Sequence, residues 1–113
     1  MDAGRSKEDV DARSIQIAEY QEFLPKPETG RPWLLVELGD YNMRPYEPLM
    51  EKLVKGKDIV ISVTGSRNEV DYIMVTSNNM LEVTVVRAGR ADKFTGWSDH
   101  EAVEAVLTLS KLY

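Results

Sequence analysis

The sequence has no cysteine, which excludes disulfide frameworks, thiolate metal centres and cysteine nucleophiles. It has a single histidine, His100, set in "SDHEAVEA". With Glu104 four residues on, His100 offers two ligands where a zinc site needs at least three, so no metal and no cofactor is expected. Its acidic neighbours Asp99 and Glu101 suggest an acid–base pair, but on a helix these positions diverge, and a surface histidine is the simpler reading. No apolar run approaches the ~20 residues of a spanning helix, and the charged start "MDAGRSKEDVDA" has no apolar leader core, so a cytoplasmic protein away from membranes is expected.

Single-sign charge blocks are lacking too. Residues 1–31 carry five bases and seven acids, 32–54 two and four, and 55–113 seven and eight. The net charge of -5 opposes general phosphate-backbone binding and suits a basic partner. Catalytic signatures are equally sparse. Asp40, Glu47, Glu69, Asp71 and Asp92 fall in or beside expected loops, with no spacing that marks two of them as a pair. The serines have no nucleophile-elbow context, and "TGSRNE" reads as a hairpin turn because a strand, not a helix, follows it.

What is present is an ordinary globular composition, 42 % hydrophobic and 29 % charged, in 113 residues. Residues 1–12 lack apolar periodicity and are expected to form a tail, leaving 13–113 as a single α+β domain. Residues 15–24 are ambiguous. Ile15 and Ile17 alternate as in a strand, whereas Ile17, Tyr20 and Leu24 keep helical spacing; a strand over 15–20 is favoured because "PKPETGRP" then reads as a hairpin loop.

"PWLLVELG" predicts a central strand, and "PLMEKLVKG" a short helix opened by Pro48 and closed by Gly56. "KDIVISVTG", "EVDYIMVTS" and "NMLEVTVVRAG" predict three strands in a meander with one covered face. Ser98 and Glu101 form a capping-box pattern, and Ala102, Val103, Val106, Leu107 and Leu109 an apolar stripe, which together predict a C-terminal helix. The expected fold is α+β: a mainly antiparallel sheet of four to six strands with two helices packed on one face.

Two segments carry candidate binding residues. In "GDYNMRPYEP", residues 39–48, turn geometry accounts for Gly39, Asp40, Asn42, Pro45 and Pro48, but not for Tyr41, Arg44 and Tyr46. Tyrosine and arginine are enriched at interface hot spots, so Tyr41, Arg44 and Tyr46, with Asp40 and Asn42, are the candidate protein-binding residues. Replacing Tyr41 and Arg44 is expected to cost little stability. In "VRAGRADKFTGW", Arg87, Arg90 and Lys93 lie beside Phe94 and Trp97, the mixture that single-stranded nucleic acid requires. The leading expectation is a non-catalytic inhibitor, immunity-type or adaptor protein acting on a basic protein. Single-stranded nucleic-acid binding is the alternative, a small hydrolase a weaker one, and homodimerisation through a sheet edge a further option.

Overall fold

A computed structural model describes residues 6–62, 69–91 and 102–112. Its order is α1 (Lys7–Phe23), β1 (Leu34–Asp40), α2 (Pro48–Val54), β2 (Ile59–Ser62), β3 (Asp71–Ser77), β4 (Leu81–Arg90) and β5 (Val103–Lys111). The fold is α+β, with the five strands among the described residues divided between two antiparallel sheets, one of order β1-β3-β2 and one pairing β4 with β5.

Helix α1 replaces the strand expected over residues 15–20, and it takes in residues 7–12 of the expected tail. Local chemistry explains it. Ser6 caps the helix by accepting from Asp9 N at 3.1 Å, Glu8 and Asp9 sit favourably in the first turn, and Arg13 pairs with Asp9 one turn on. Leu24 leaves the helix in extended conformation ahead of Pro25. Ile15 and Ile17, which would share a strand face, separate: Ile17 is buried and Ile15 exposed. The segment "PKPETGRP" therefore joins α1 to β1. It is tied down by Asn78, whose amide donates to the carbonyls of Glu28 (3.0 Å) and Arg31 (2.7 Å).

Helix α2 follows its sequence signals, with Pro48 in the first turn and Gly56 at φ 83° just beyond the end. The expected meander forms only in its first half, the antiparallel pair of β2 and β3. β3 pairs with β1 on one side and β2 on the other, and β4 turns away to pair with β5. β5 in turn replaces the C-terminal helix; its capping pair, Ser98 and Glu101, lies outside the described residues. Along β5, Val103, Ala105, Leu107 and Leu109 alternate onto the face that carries Leu81, Val83 and Val85 of β4. A bulge between Val85 and Arg87 shifts the register, so that Ala88 and Arg90 follow Val85 on this face, opposite Ala105 and Val103.

The core joins Ile17 of α1, Met43 of the β1–α2 loop and Met50 and Leu53 of α2 to Tyr72 and Met74, which share one face of β3. Cross-strand pairing puts Glu37 of β1 on that same face, opposite Met74. The other face carries Val36, Leu38, Ile73, Val75 and Ile61, and β5 approaches it through Val103, which lines a groove with Leu38 and Ile73. No described helix is long and apolar enough to cross a membrane.

Candidate functional site

Glu37 projects from β1 into the helix-side interior, where it is only 5 % exposed. Lys57, just ahead of β2, brings Nζ to 2.6 Å from Oε1, an ion-pair contact outside hydrogen-bonding alignment. The Tyr20 hydroxyl of α1 donates to Oε2. Tyr20 also lies 2.8 Å, hydroxyl to hydroxyl, from Tyr41. Because the Tyr20 hydrogen is committed to the carboxylate, Tyr41 must donate to the Tyr20 oxygen. The result is a polar chain from Lys57 through Glu37 and Tyr20 to Tyr41, binding β2, β1, α1 and the β1–α2 loop together.

Tyr41 also stacks edge-on between Tyr20 and Tyr72, with ring centroids 5.9 and 5.8 Å apart. Tyr72, 2 % exposed, donates to the Met43 carbonyl at 2.7 Å. Burial pushes all three phenols above their ordinary value. For Tyr20 the bond to Glu37 adds to the rise, and for Tyr72 the charges of Glu69 and Glu47 do. The folded state thus holds these protons more tightly than the unfolded chain. The stability they contribute is complete below pH ~10 and is lost as pH rises from there through the folded values. Alkaline titration is expected to show phenolate absorbance from these tyrosines appearing together with the loss of circular dichroism, not ahead of it.

On the outer side of this chain lies a cleft of about 350 Å³ between α1 and the end of β1. Its apolar lining comes from Ile17, Leu38, Met43 and Leu53, and its rim from Arg13, Gln16, Tyr20, Asp40 and Tyr41. Arg13 is already engaged, to Asp9 at 3.1 Å and to the Asn42 carbonyl at 3.3 Å. Tyr41, with its hydrogen directed to Tyr20, has only lone pairs left for the cleft. Asp40 is exposed, with Oδ1 accepting from Asn42 N at 2.7 Å in a turn that holds Asn42 at φ 53°. Asp40 and Tyr41 therefore offer acceptors at one side of the rim, across from the Arg13 guanidinium, which Asp9 pairs, and the Gln16 amide.

The five candidate protein-binding residues separate accordingly. Tyr41 is half-buried packing, so the expectation that its loss costs little stability gives way: truncation removes two ring contacts and the hydroxyl bond. Arg44 N donates to the buried Glu47 carboxylate at 2.7 Å, and its guanidinium lies 4.0 Å from Glu69. Asp40 and Asn42 are exposed on the loop, and Tyr46 is 55 % exposed. Sequence reasoning missed Tyr20, Glu37, Lys57, Arg13 and Gln16. Glu37 interrupting an apolar strand run was the one available signal.

Of the basic–aromatic segment, Arg87 faces Glu104 at 3.5 Å across the β4–β5 ladder and Arg90 ends β4, while Lys93, Phe94 and Trp97 lie outside the described residues. His100 and Asp92 also lie outside them. Asp40 and Asp71 stand directly opposite each other on β1 and β3, and Glu47 and Glu69 flank Arg44. Among the described residues no group of three or more histidines or acids is gathered to hold a metal. No protein-family model, curated protein sequence or solved structure matches the chain.

Proposed function

We propose that the chain is a small non-catalytic module of the cytoplasm that binds a basic protein, taking an arginine or lysine side chain of that partner into the cleft between α1 and β1. The observation that carries this reading is the polarity of the rim. Tyr41 faces the cleft with lone pairs only, and the Asp40 carboxylate stands beside it while the nearby Arg13 charge is offset by Asp9. An ammonium or guanidinium group donates and cannot accept, so it matches such a rim, and the methylene stem of the side chain suits the apolar lining. The net charge of -5 adds long-range attraction for a basic partner. Exposed Tyr46 on the same loop supplies an aromatic contact of the kind that dominates interfaces.

Asp40→Asn is the discriminating variant. Asparagine keeps the oxygen that receives the Asn42 amide but removes the charge. A charge-assisted bond contributes about 2 kcal/mol, so partner affinity is expected to fall roughly 30-fold with little change in melting temperature. Capture of a basic protein from native cell extract by the wild-type chain, and its loss with Asp40→Asn, is the expected result. Equal capture by both refutes the role assigned to the rim.

A further inference from the structure

β1 is an outer strand of the three-stranded sheet, bonded to β3 alone. Among the described residues, no backbone hydrogen bond other than those of the β3 ladder reaches Leu34–Asp40. Alternate residues of such a strand turn their N–H and C=O groups outward, an edge that proteins ordinarily blunt with lysine, proline or brevity. β2, the opposite edge, is short at four residues. β1 has seven residues, "LLVELGD", with neither lysine nor proline. Its one charge within the apolar run, Glu37, is turned beneath the sheet and neutralised there by Lys57. On the face away from the helices it leaves Val36 42 % and Leu38 68 % exposed.

From this edge we infer that two copies of the chain associate through β1, antiparallel about a two-fold axis at Val36, making one continuous six-stranded sheet. The sequence selects that register. With Val36 opposite its own copy, Leu34 meets the second copy's Leu38, so the apolar row of half-buried Leu34 and exposed Val36 and Leu38 continues into an identical row on the same face. Moving the axis to Glu37 sets two carboxylates directly opposite each other, which is destabilising. Moving it to Leu35 leaves Leu38 beyond the paired apolar row.

The apolar row adjoins the proposed partner cleft at Leu38, which lines both, whereas Val36 at the two-fold axis is not part of the cleft lining.

Light scattering on the purified chain tests it. The wild type is expected at twice the 12.8 kDa chain mass, and Leu38→Lys at the single-chain mass with its circular dichroism unchanged, because Leu38 is largely exposed in the monomer. Leu109→Lys, on the exposed part of β5, is expected to remain dimeric. The cysteine-free background allows a register test: residues directly opposite in an antiparallel pair lie about 4.5–5.5 Å apart between Cα atoms, within disulfide range. Val36→Cys is expected to oxidise to a covalent dimer, and Val60→Cys on β2 to stay uncrosslinked. A wild type that is monomeric into the high-micromolar range overturns the inference, as does a Leu38→Lys variant that remains dimeric. Equal crosslinking at residues 36 and 60 overturns it too.

Discussion

Lys57→Met is expected to destabilise the protein by about 3–5 kcal/mol, the usual consequence of removing one member of a buried ion pair and leaving the other charged. The side chains of Glu37 and Lys57 are 2 % and 11 % exposed, so water replaces little of the lost interaction. A domain of this size is stable by only about 5–15 kcal/mol, so the variant is left with a small margin. Its melting temperature is expected to fall by about 12 °C or more, at roughly 4 °C or more per kcal/mol. Glu37→Leu combined with Lys57→Met removes both charges together. That pair is expected to recover most of the loss, because a well-packed apolar pair is often as stable as a buried salt bridge. Paired thermal melts of the single and double variants measure the recovery. If the double variant is as unstable as Lys57→Met alone, the ion pair is not what the single substitution disrupts.

Tyr72→Ala is the second large effect, expected to cost about 3–5 kcal/mol. The residue is buried at the centre of the helix-side cluster, packs edge-on against Tyr41 and fixes the β1–α2 loop through the Met43 carbonyl. Tyr72→Phe keeps the ring and removes only the hydroxyl, and is expected to cost about 1–2 kcal/mol for the unpaired carbonyl. Denaturant melts of the two variants separate packing from hydrogen bonding. The loop defect should also weaken any ligand of the cleft in Tyr72→Phe, because Met43 lies in its lining. Equal destabilisation by Phe and Ala would place most of the effect in the hydroxyl instead.

Elements with their own punctuation were legible in the sequence. α2 has Pro48 and Gly56 at its ends, and β1, β2, β3 and the first part of β4 have alternating or continuous apolar residues, so local chemistry and tertiary packing agree there. α1 was misread because the Ile15–Ile17 alternation competes with helical spacing. The decision rests on Ser6 and Pro25 at its two ends, outside the window in which the alternation is seen. β5 was misread for the opposite reason. "AVEAVLTLS" satisfies a helical stripe as well as a period of two, and what selects the strand is the apolar face of β4, a partner that no local window contains. The helix of residues 98–111 and the meander were consistent with each other, so one error sustained the next: without β5, β4 had only β3 to pair with.

The candidate site divides in the same way. Turn-forming Asp40 and Asn42 were readable because their hydrogen bonds are local, and both sit at the loop where they were expected. The role of Tyr41 was not readable, since its ring partners are 21 residues upstream at Tyr20 and 31 downstream at Tyr72. Lys57 looked like one more surface lysine at a strand start. Its burial depends on Glu37, 20 residues earlier, turning under the sheet, which only the β1–β3 register reveals.

The proposal that the Asp40–Tyr41 rim accepts a cationic side chain is tested most directly by titrating isotope-labelled protein with N-acetyl-arginine amide and following backbone amide resonances. Saturable shifts centred on Gln16, Asp40 and Tyr41 are predicted, lost in Asp40→Asn and absent with N-acetyl-glutamate amide. Shifts that miss these residues, or that survive unchanged in Asp40→Asn, would contradict the assignment.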